Sequence, residues 1–192
     1  ADGGLLMSAG TSGGTTYYVS ETGNDAAAGT AEDAPLKTIT AAYTKAADGD
    51  TICLLSDIEI VGKLVLTGNK EVTLAGKADA AAKQITYTKD TSTTSPDLYM
   101  IEVGVEYGTA TTTELTLENV TIDAETQDIR CIRVCPESTL TLENEATVCN
   151  GRAVHRSGTS GNTGTNDWGG GIVVDSTAKL IMNDGSAVTD CS

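Results

Sequence analysis

The sequence has no phenylalanine, one tryptophan and three prolines among its 192 residues. It also has no apolar run of about 18 residues, the length that a membrane-spanning helix needs, so no membrane span is predicted. Its 12 Lys and Arg side chains stand against 27 Asp and Glu, which gives a formal net charge of −15. Because binding to phosphates requires clustered cations and these are scattered, the composition argues against a nucleic-acid partner.

Residues with nucleophilic or metal-binding side chains are also few. The one histidine, His155, has no motif beside it that would define a catalytic triad, so no catalytic residue is predicted. The five cysteines are Cys53, Cys131, Cys135, Cys149 and Cys191. An odd number leaves at least one thiol free or paired between chains, and no Cys-x-x-Cys spacing indicates a metal site. Stacked strands could bring Cys149 or Cys191 near Cys131 or Cys135, either as free thiols or as a disulfide.

What the sequence does contain is a repeated strand. A Leu-Thr-Leu-Glu-Asn segment at 115–119 recurs unchanged at 140–144 and in a looser form at 180–184. A second short apolar segment lies upstream of each copy, at 101–103, 132–134 and 172–174. The predicted repeating unit is therefore two short strands with their connections, 25 to 40 residues apart. This pattern favours a β-solenoid, whose coils stack equivalent strands, over a sandwich of hairpins, which predicts no recurrence of one pentapeptide.

Apolar and polar residues alternate within these strands and within others along the chain. The pairs with a period of two are Val72 with Leu74, Ile85 with Tyr87, Ile101 with Val103 and Leu115 with Leu117. Alternation places these side chains inward and the intervening Thr, Glu or Lys outward. In the same way Cys131 is expected on the face opposite Ile132 and Val134.

A single helix is predicted, near the N-terminus. Between residues 37 and 47, apolar side chains recur at helical spacing at Ile39, Ala42, Tyr43 and Ala46. Gly49 stands just past the end, where a helix C-cap is common. No second helix is predicted in the rest of the chain.

Two stretches resemble a known family. The first comprises Tyr17-Tyr18-Val19-Ser20, Gly23, Gly29-Thr30, Pro35, Thr38-Ile39, Ala46 and Gly49-Asp50-Thr51-Ile52. It resembles the N-terminal part of pectin-lyase-like right-handed parallel β-helix proteins, in which a short helix covers the open end of the coils. The second is Gly169-Gly170-Gly171-Ile172-Val173-Val174 with the segment from Leu180 to Gly185. It is similar to the Gly-Gly-Gly-Ile repeats of bacterial surface β-helices, including polymorphic outer-membrane proteins and autotransporter-like adhesins.

The resemblance implies an all-β fold, a right-handed parallel β-helix with a short N-terminal capping helix. The chain then divides into a leader at 1–16, an N-terminal opening with the helix at 17–50, and β-helix coils at 51–192. The sequence offers no cover for the last coil, so the coils are expected to continue or to be capped beyond residue 192. An uncovered coil end exposes unpaired backbone groups, which invite self-association. The apolar leader around Leu5 and Met7 could add to the last coil of the next subunit.

Two repeated carboxylates form a candidate cation site. If Leu117 and Leu142 point inward, Glu118 and Glu143 lie outward in consecutive coils, about 4.8 Å apart. A bound Ca²⁺ would relieve the repulsion between them, although two carboxylates can also turn apart into water. The same pair has neither the groove nor the raised acid pKa that a glycosidase dyad needs. Asn119, Asn144 and Asp184, which follow each strand copy, are expected to form a ladder of turn residues.

A long loop is the candidate ligand-binding element. The stretch from 153 to 169 carries the only His and the only Trp, and long loops on a rigid scaffold are where binding residues concentrate. Trp168 could stack on a sugar ring while Asp167, His155 or Arg156 binds the hydroxyls. The alternative is that Trp168 anchors the loop on the solenoid.

These observations favour a secreted or cell-surface bacterial domain with an adhesive, glycan-binding or structural role. Its expected partner is a glycan or a host or surface protein, and no cofactor other than Ca²⁺ is expected. One alternative implied by the resemblance is a polysaccharide lyase or glycoside hydrolase of the pectin-lyase-like superfamily. Enzymes of this kind display clustered Asp, Arg or Lys across several coils, so the enzyme is the second choice. A further alternative is a subunit of a head-to-tail extracellular fibre.

Overall fold

A computed structural model describes residues 14–78, 80–93, 97–105, 108–125, 127–152 and 169–192. In that part of the chain the structure consists of one short helix and fifteen strands. The helix is α1 (Ile39–Lys45), and the first seven strands are β1 (Thr16–Val19), β2 (Asp50–Leu54), β3 (Ile58–Val61), β4 (Leu64–Leu66), β5 (Glu71–Gly76), β6 (Lys83–Thr88) and β7 (Tyr99–Val103). The remaining strands are β8 (Glu114–Glu118), β9 (Val120–Asp123), β10 (Arg130–Val134), β11 (Thr139–Leu142), β12 (Thr147–Cys149), β13 (Ile172–Val174), β14 (Lys179–Met182) and β15 (Ala187–Thr189).

The strands form three parallel sheets. The first sheet has the order β1-β2-β5-β8-β11-β14, the second β15-β12-β9-β6-β3, and the third β13-β10-β7-β4. From β2 onward, each turn of the chain adds one strand to the first, second and third sheet in succession, as β5, β6 and β7 do. This is the architecture of a parallel β-helix, and the predicted fold is confirmed.

The repeated segments stack in register, as their recurrence predicts. Leu140 lies between Leu115 and Leu180 in the first sheet, and Ile132 lies between Ile101 and Ile172 in the third. The prediction of two strands per repeat was wrong, because each coil has a third strand in the second sheet. These strands are short, and β9 follows β8 after the single residue Asn119, so the sequence pattern runs through the corner without a break.

The inward residues of neighbouring coils form one continuous core. All four predicted alternating pairs are buried, and each is at most 4% exposed. A single coil could bury only a narrow strip of apolar surface, so each coil depends on its neighbours for stability. Within the described residues no helix is both long and apolar enough to cross a membrane.

Helix α1 covers the first end of this core. Thr38 is its N-cap, and the Thr38 side chain accepts a hydrogen bond from the Ala41 amide. The predicted apolar face is confirmed, and the helix packs against β1, β2 and β4. The helix is shorter than predicted at both ends. Gly49, with φ of 80°, belongs to the turn into β2 and does not directly follow the helix.

Lys70 fixes the C-terminal end of α1. Its ammonium group donates hydrogen bonds to the carbonyl oxygens of Tyr43 at 2.6 Å and Ala46 at 2.7 Å. It also lies 4.0 Å from the centroid of the Tyr43 ring. A cation here satisfies the last helix carbonyls and interacts favourably with the helix dipole. Burial lowers the pKa of Lys70.

Replacing Tyr43 with phenylalanine is expected to stabilise the protein. The Tyr43 hydroxyl is buried, and no described residue forms a hydrogen bond with it. Removing an unsatisfied buried hydroxyl should raise the free energy of unfolding by about 1 kcal/mol, measured by urea denaturation. Burial also raises the pKa of Tyr43 to about 12, above the unfolded value near 10. The folded state therefore keeps this proton longer, stability falls as pH rises from about 10 to 12, and Tyr43→Phe should lessen that fall.

Tyr87→Phe is the matched control for this prediction. The Tyr87 ring is also buried, but its hydroxyl donates to the Asp97 carboxylate at 3.0 Å. Losing that bond should lower the free energy of unfolding by about 1 kcal/mol. A destabilised Tyr43→Phe variant would show that the Tyr43 hydroxyl has a partner.

The predicted ladder of turn residues is only partly present. Asn119 adopts a left-handed conformation with φ of 51°, and its amide donates to the carbonyl oxygens of Lys77 and Ala80 at 3.3 Å each. In the next two coils the left-handed residues are Glu145 and Gly185, one position after the expected Asn144 and Asp184. The later corners are longer than the single-residue corner at Asn119, and this displaces the left-handed position.

Candidate functional site

The connections that run from the second sheet to the third all lie at one corner of the β-helix, which we call the loop corner. These connections are residues 62–63, 89–98, 124–129 and 150–171. On the opposite side of the third sheet, residues 104–113 connect β7 to β8. The third sheet therefore has one long connection on this side, and two long connections, 89–98 and 150–171, at the loop corner. A rigid surface bordered by long loops is a common place for a binding site.

The outer face of the third sheet carries a row of charged side chains. Ile101 and Val103 point into the core, so Glu102 between them points outward, beside Arg133 of the next strand. Lys63 donates to Glu102 at 2.7 Å, and Arg133 donates to Asp175 at 2.9 Å. We call these four residues the charged row.

The charged row is held rigidly. The side chains of Glu102, Arg133 and Asp175 are 6%, 12% and 11% exposed, and that of Lys63 is 29% exposed. Partly buried charges must be paired and hydrogen-bonded, and both pairs in this row meet that condition. The row is therefore a set of fixed and mostly shielded charges, with the two positive charges matched by two negative ones.

An aromatic ring and further cations adjoin the row. The guanidinium groups of Arg130 and Arg133 lie 5.6 Å and 5.5 Å from the centroid of the Tyr99 ring. Arg152 lies at the loop corner, 3.9 Å from Asp128. All four arginines of the sequence fall between residues 130 and 156. Although the chain is strongly acidic, its described arginines are thus concentrated near one sheet and one corner.

A concave surface continues from the row at the first coil. A cavity of about 490 Å³ lies between the start of α1 and the strands β3 and β4. Its lining includes the apolar Ile39, Ile60 and Leu64 and the charged Glu59 and Lys63. Because Lys63 also binds Glu102, the charged row begins at the edge of this cavity.

In the longest connection at the loop corner, the backbone near its start lies in contact with the backbone near its end. A Cβ atom added at Gly151 would lie 2.1 Å from the carbonyl oxygen of Gly170, and one added at Gly170 would lie 2.1 Å from that of Gly151. We call this pair the glycine neck. The Cys131 amide donates to the Gly170 carbonyl at 2.9 Å, which anchors the neck to β10. Gly151 and Gly170 therefore lie side by side next to the third sheet.

The predicted ligand-binding residues Trp168, Asp167, His155 and Arg156 lie outside the described residues. Their prediction stays a prediction. What the described residues add is the position of the glycine neck, through which the segment that carries them is attached.

The two carboxylates of the predicted cation pair each follow one of two stacked leucines, Leu117 and Leu142. Glu118 and Glu143 occupy equivalent positions in consecutive coils of the first sheet, and Glu118 is exposed. Glu143 accepts a hydrogen bond from Asn183 at 2.7 Å. Among the described residues, no group of three or more His, Cys, Asp or Glu is arranged to hold a metal ion. Calcium binding by the pair stays a prediction, which a calcium-dependent rise in melting temperature, lost in Glu143→Gln, would establish.

The charged row was missed at the sequence level. One feature of the sequence did indicate it. The equivalent segments Ile-Glu-Val and Ile-Arg-Val carry opposite charges, Glu102 and Arg133, at the same position. Opposite charges at one repeat position predict a pair across neighbouring strands. The ion pairs with Lys63 and Asp175 carried no such signal, because both residues lie in connections.

The fold places the chain in the class of parallel β-helix proteins. A solved structure of similar fold is a rhamnogalacturonan lyase, with 13% sequence identity and a TM-score of 0.49. The match covers 91% of this chain and 54% of that enzyme, so the chain spans about half the length of the enzyme. No protein-family model matches the sequence, and no curated protein matches it.

Proposed function

We propose that the chain is a secreted or cell-surface β-helix domain that binds a polysaccharide along the outer face of its third sheet. The observation that carries the proposal is the charged row, in which fixed, paired charges follow one another from coil to coil along the third sheet. Neighbouring strands are about 4.8 Å apart, so the row runs along the solenoid axis. A row in this direction suits an extended polymer better than a compact ligand.

The chemistry of the row suits sugar hydroxyls and carboxylates. Arginine offers several N–H donors in a fixed plane, and carboxylates accept hydrogen bonds from hydroxyl groups. The proposal includes the loop attached at the glycine neck, with Trp168 stacking on a sugar ring and Asp167, His155 and Arg156 binding its hydroxyls. Adhesion to a glycan-bearing surface would follow from such binding.

Arg133→Gln is expected to weaken polysaccharide binding at least tenfold. A charge-assisted hydrogen bond contributes about 1.5–3 kcal/mol, and the variant loses that donor while keeping a side chain of similar length. The dissociation constant would be measured by titration calorimetry against the tightest ligand from a glycan array that includes neutral and uronate polysaccharides. Circular dichroism and the melting temperature would report whether the variant is folded.

Lys179→Gln is the matched control for this experiment. Lys179 is an exposed cation on β14, in the first sheet, and its change removes the same charge from another face. The control should bind as the unmodified chain does. Equal loss of binding in both variants would indicate a general charge effect, and unchanged binding in Arg133→Gln would remove the charged row from the proposal.

Two other functions would be indicated by different experimental results. Release of unsaturated or reducing sugars from a polysaccharide, with or without Ca²⁺, would indicate a lyase or hydrolase. Binding is preferred because Lys63 and Arg133 are both engaged with carboxylates, so neither is free to act as a base. A molecular mass in solution that falls when residues 1–12 are deleted would indicate the head-to-tail fibre.

A further inference from the structure

The cavity beside α1 borders an open backbone edge. β3 is an edge strand of the second sheet, and no strand in the described part of the chain pairs with its other side. The Gly62 amide donates to the Thr88 carbonyl at 2.9 Å. Because hydrogen bonds alternate along a strand, Ile60 and Gly62 bond to β6. The N–H and C=O groups of Glu59 and Val61 therefore point away from the sheet, and both residues line the cavity.

Of these two residues, only Val61 offers a free amide. The Glu59 amide donates to the Glu21 carboxylate at 3.3 Å, which takes the place of a neighbouring strand. No described residue bonds to the amide or the carbonyl of Val61, and the Val61 side chain is 67% exposed. The edge thus offers one donor and one acceptor. A peptide that added as a strand would need several such groups in a row, whereas a single small polar group needs only these.

Apolar side chains line the cavity beside this donor. They are those of Ile39, Ile58, Ile60 and Leu64, and each residue is at most 8% exposed because it is packed mainly into the core. The apolar surface that they leave toward the cavity is small. It suits a methyl group better than a large apolar side chain of a protein partner.

The charged side chains that line the cavity balance one another. They are two carboxylates, Glu21 and Glu59, and two ammonium groups, Lys37 and Lys63. This local balance contrasts with the net charge of −15 of the whole chain. A site with equal numbers of both signs does not select a charged ligand by long-range attraction, so the group that fits here is neutral.

We propose that this cavity binds the acetamido group of an N-acetylated amino sugar. This assignment names the sugar class of the polysaccharide and rests on the proposed function. The acetamido carbonyl accepts a hydrogen bond from the Val61 amide, and its methyl group packs on the apolar lining. The Val61 carbonyl accepts from a neighbouring sugar hydroxyl. Lys63 both lines the cavity and binds Glu102, so the cavity is continuous with the charged row.

The first test compares two neutral oligosaccharides of equal length. Chitin oligosaccharides and cello-oligosaccharides have the same linkage and differ only at C2, which carries an acetamido group in the first and a hydroxyl in the second. The chain should bind the chitin oligosaccharide at least about fivefold more tightly in titration calorimetry, because the added hydrogen bond and the buried methyl group both favour it. Equal affinity for the two oligosaccharides would overturn the proposal.

Val61→Pro removes the donor and leaves the sheet intact. Proline has no amide hydrogen, and an edge strand tolerates it where the lost N–H faces away from the sheet. The variant should lose the preference for the chitin oligosaccharide. Val61→Ala is the matched control, because it keeps the amide and should keep the preference. Circular dichroism would report whether both variants are folded, and a preference retained in folded Val61→Pro would show that the donor is not used.

A measurement on the unmodified chain does not depend on either variant. In nuclear magnetic resonance of the isotope-labelled protein, the Val61 amide signal should shift with N-acetylglucosamine and not with glucose. An unmoved signal would overturn the proposal. Arg133→Gln separates this site from the charged row, because it should weaken polysaccharide binding and leave the Val61 shift as it is. If polysaccharide binding is unchanged in Arg133→Gln while the Val61 shift remains, the charged row fails and the cavity assignment stands.

Discussion

Gly170→Ala is expected to lower the free energy of unfolding by roughly 3 kcal/mol, whereas Gly169→Ala, one residue earlier, should leave it nearly unchanged or slightly higher. A Cβ atom at Gly170 would lie 2.1 Å from the Gly151 carbonyl oxygen and 2.5 Å from the Arg152 amide nitrogen. Both are backbone atoms, so no side-chain movement can relieve the clash. The chain would have to open the glycine neck and weaken the bond from the Cys131 amide to the Gly170 carbonyl.

Gly169 provides a close control because a Cβ atom there would meet nothing within 4 Å. The two variants differ by one position in the same run of glycines, so composition and unfolded-state effects cancel. Urea denaturation followed by circular dichroism measures both. Equal stability of the two variants would mean that the two ends of the loop are not in contact in solution.

Leu140→Ala is expected to cost about 3–4 kcal/mol, and Leu180→Ala about 1 kcal/mol, although the two leucines are equivalent positions of one repeat. They are direct partners in the first sheet. Leu140 is fully buried between two coils, whereas Leu180 in β14 is only partly buried. The same deletion of atoms therefore leaves a cavity in one coil and a shallow surface depression in the other.

Thermal and urea denaturation of both variants measure this difference. Thr141→Ala is a suitable control, because Thr141 lies beside Leu140 on the outward side of the same strand and should change stability by less than about 0.5 kcal/mol. Equal costs for Leu140→Ala and Leu180→Ala would contradict the gradient of burial along the stack. They would mean that the outer side of β14 is covered in solution.

The inward half of the fold could be predicted because it depends on local pattern. The leucines of the repeated segment alternate with polar residues, recur along the chain and stack on one another. The repeat therefore predicts that the segment is a strand, which of its side chains point inward, and which strand lies next to it. In the second sheet only β6 gave such a pair, Ile85 with Tyr87, and the other strands could not be found in this way. A strand of three or four residues that follows a corner of one to four residues has too few alternating positions to separate it from the strand before it.

The candidate site was harder to predict because it depends on register. Lys63 and Glu102 are 39 residues apart, and Arg133 and Asp175 are 42 apart. Such pairs become visible only when the length of every coil is known, and those lengths vary with the connections at the loop corner. The loop residues Trp168 and His155 were chosen for their rarity in the sequence, and they lie outside the described residues.

The glycine neck also has a use in protein engineering. It brings Gly151 and Gly170, which lie on either side of the segment from 152 to 169, together by backbone contact. Peptides of different length could replace that segment while Gly151 and Gly170 are retained. The solenoid would then serve as a rigid carrier that displays a chosen peptide beside the third sheet.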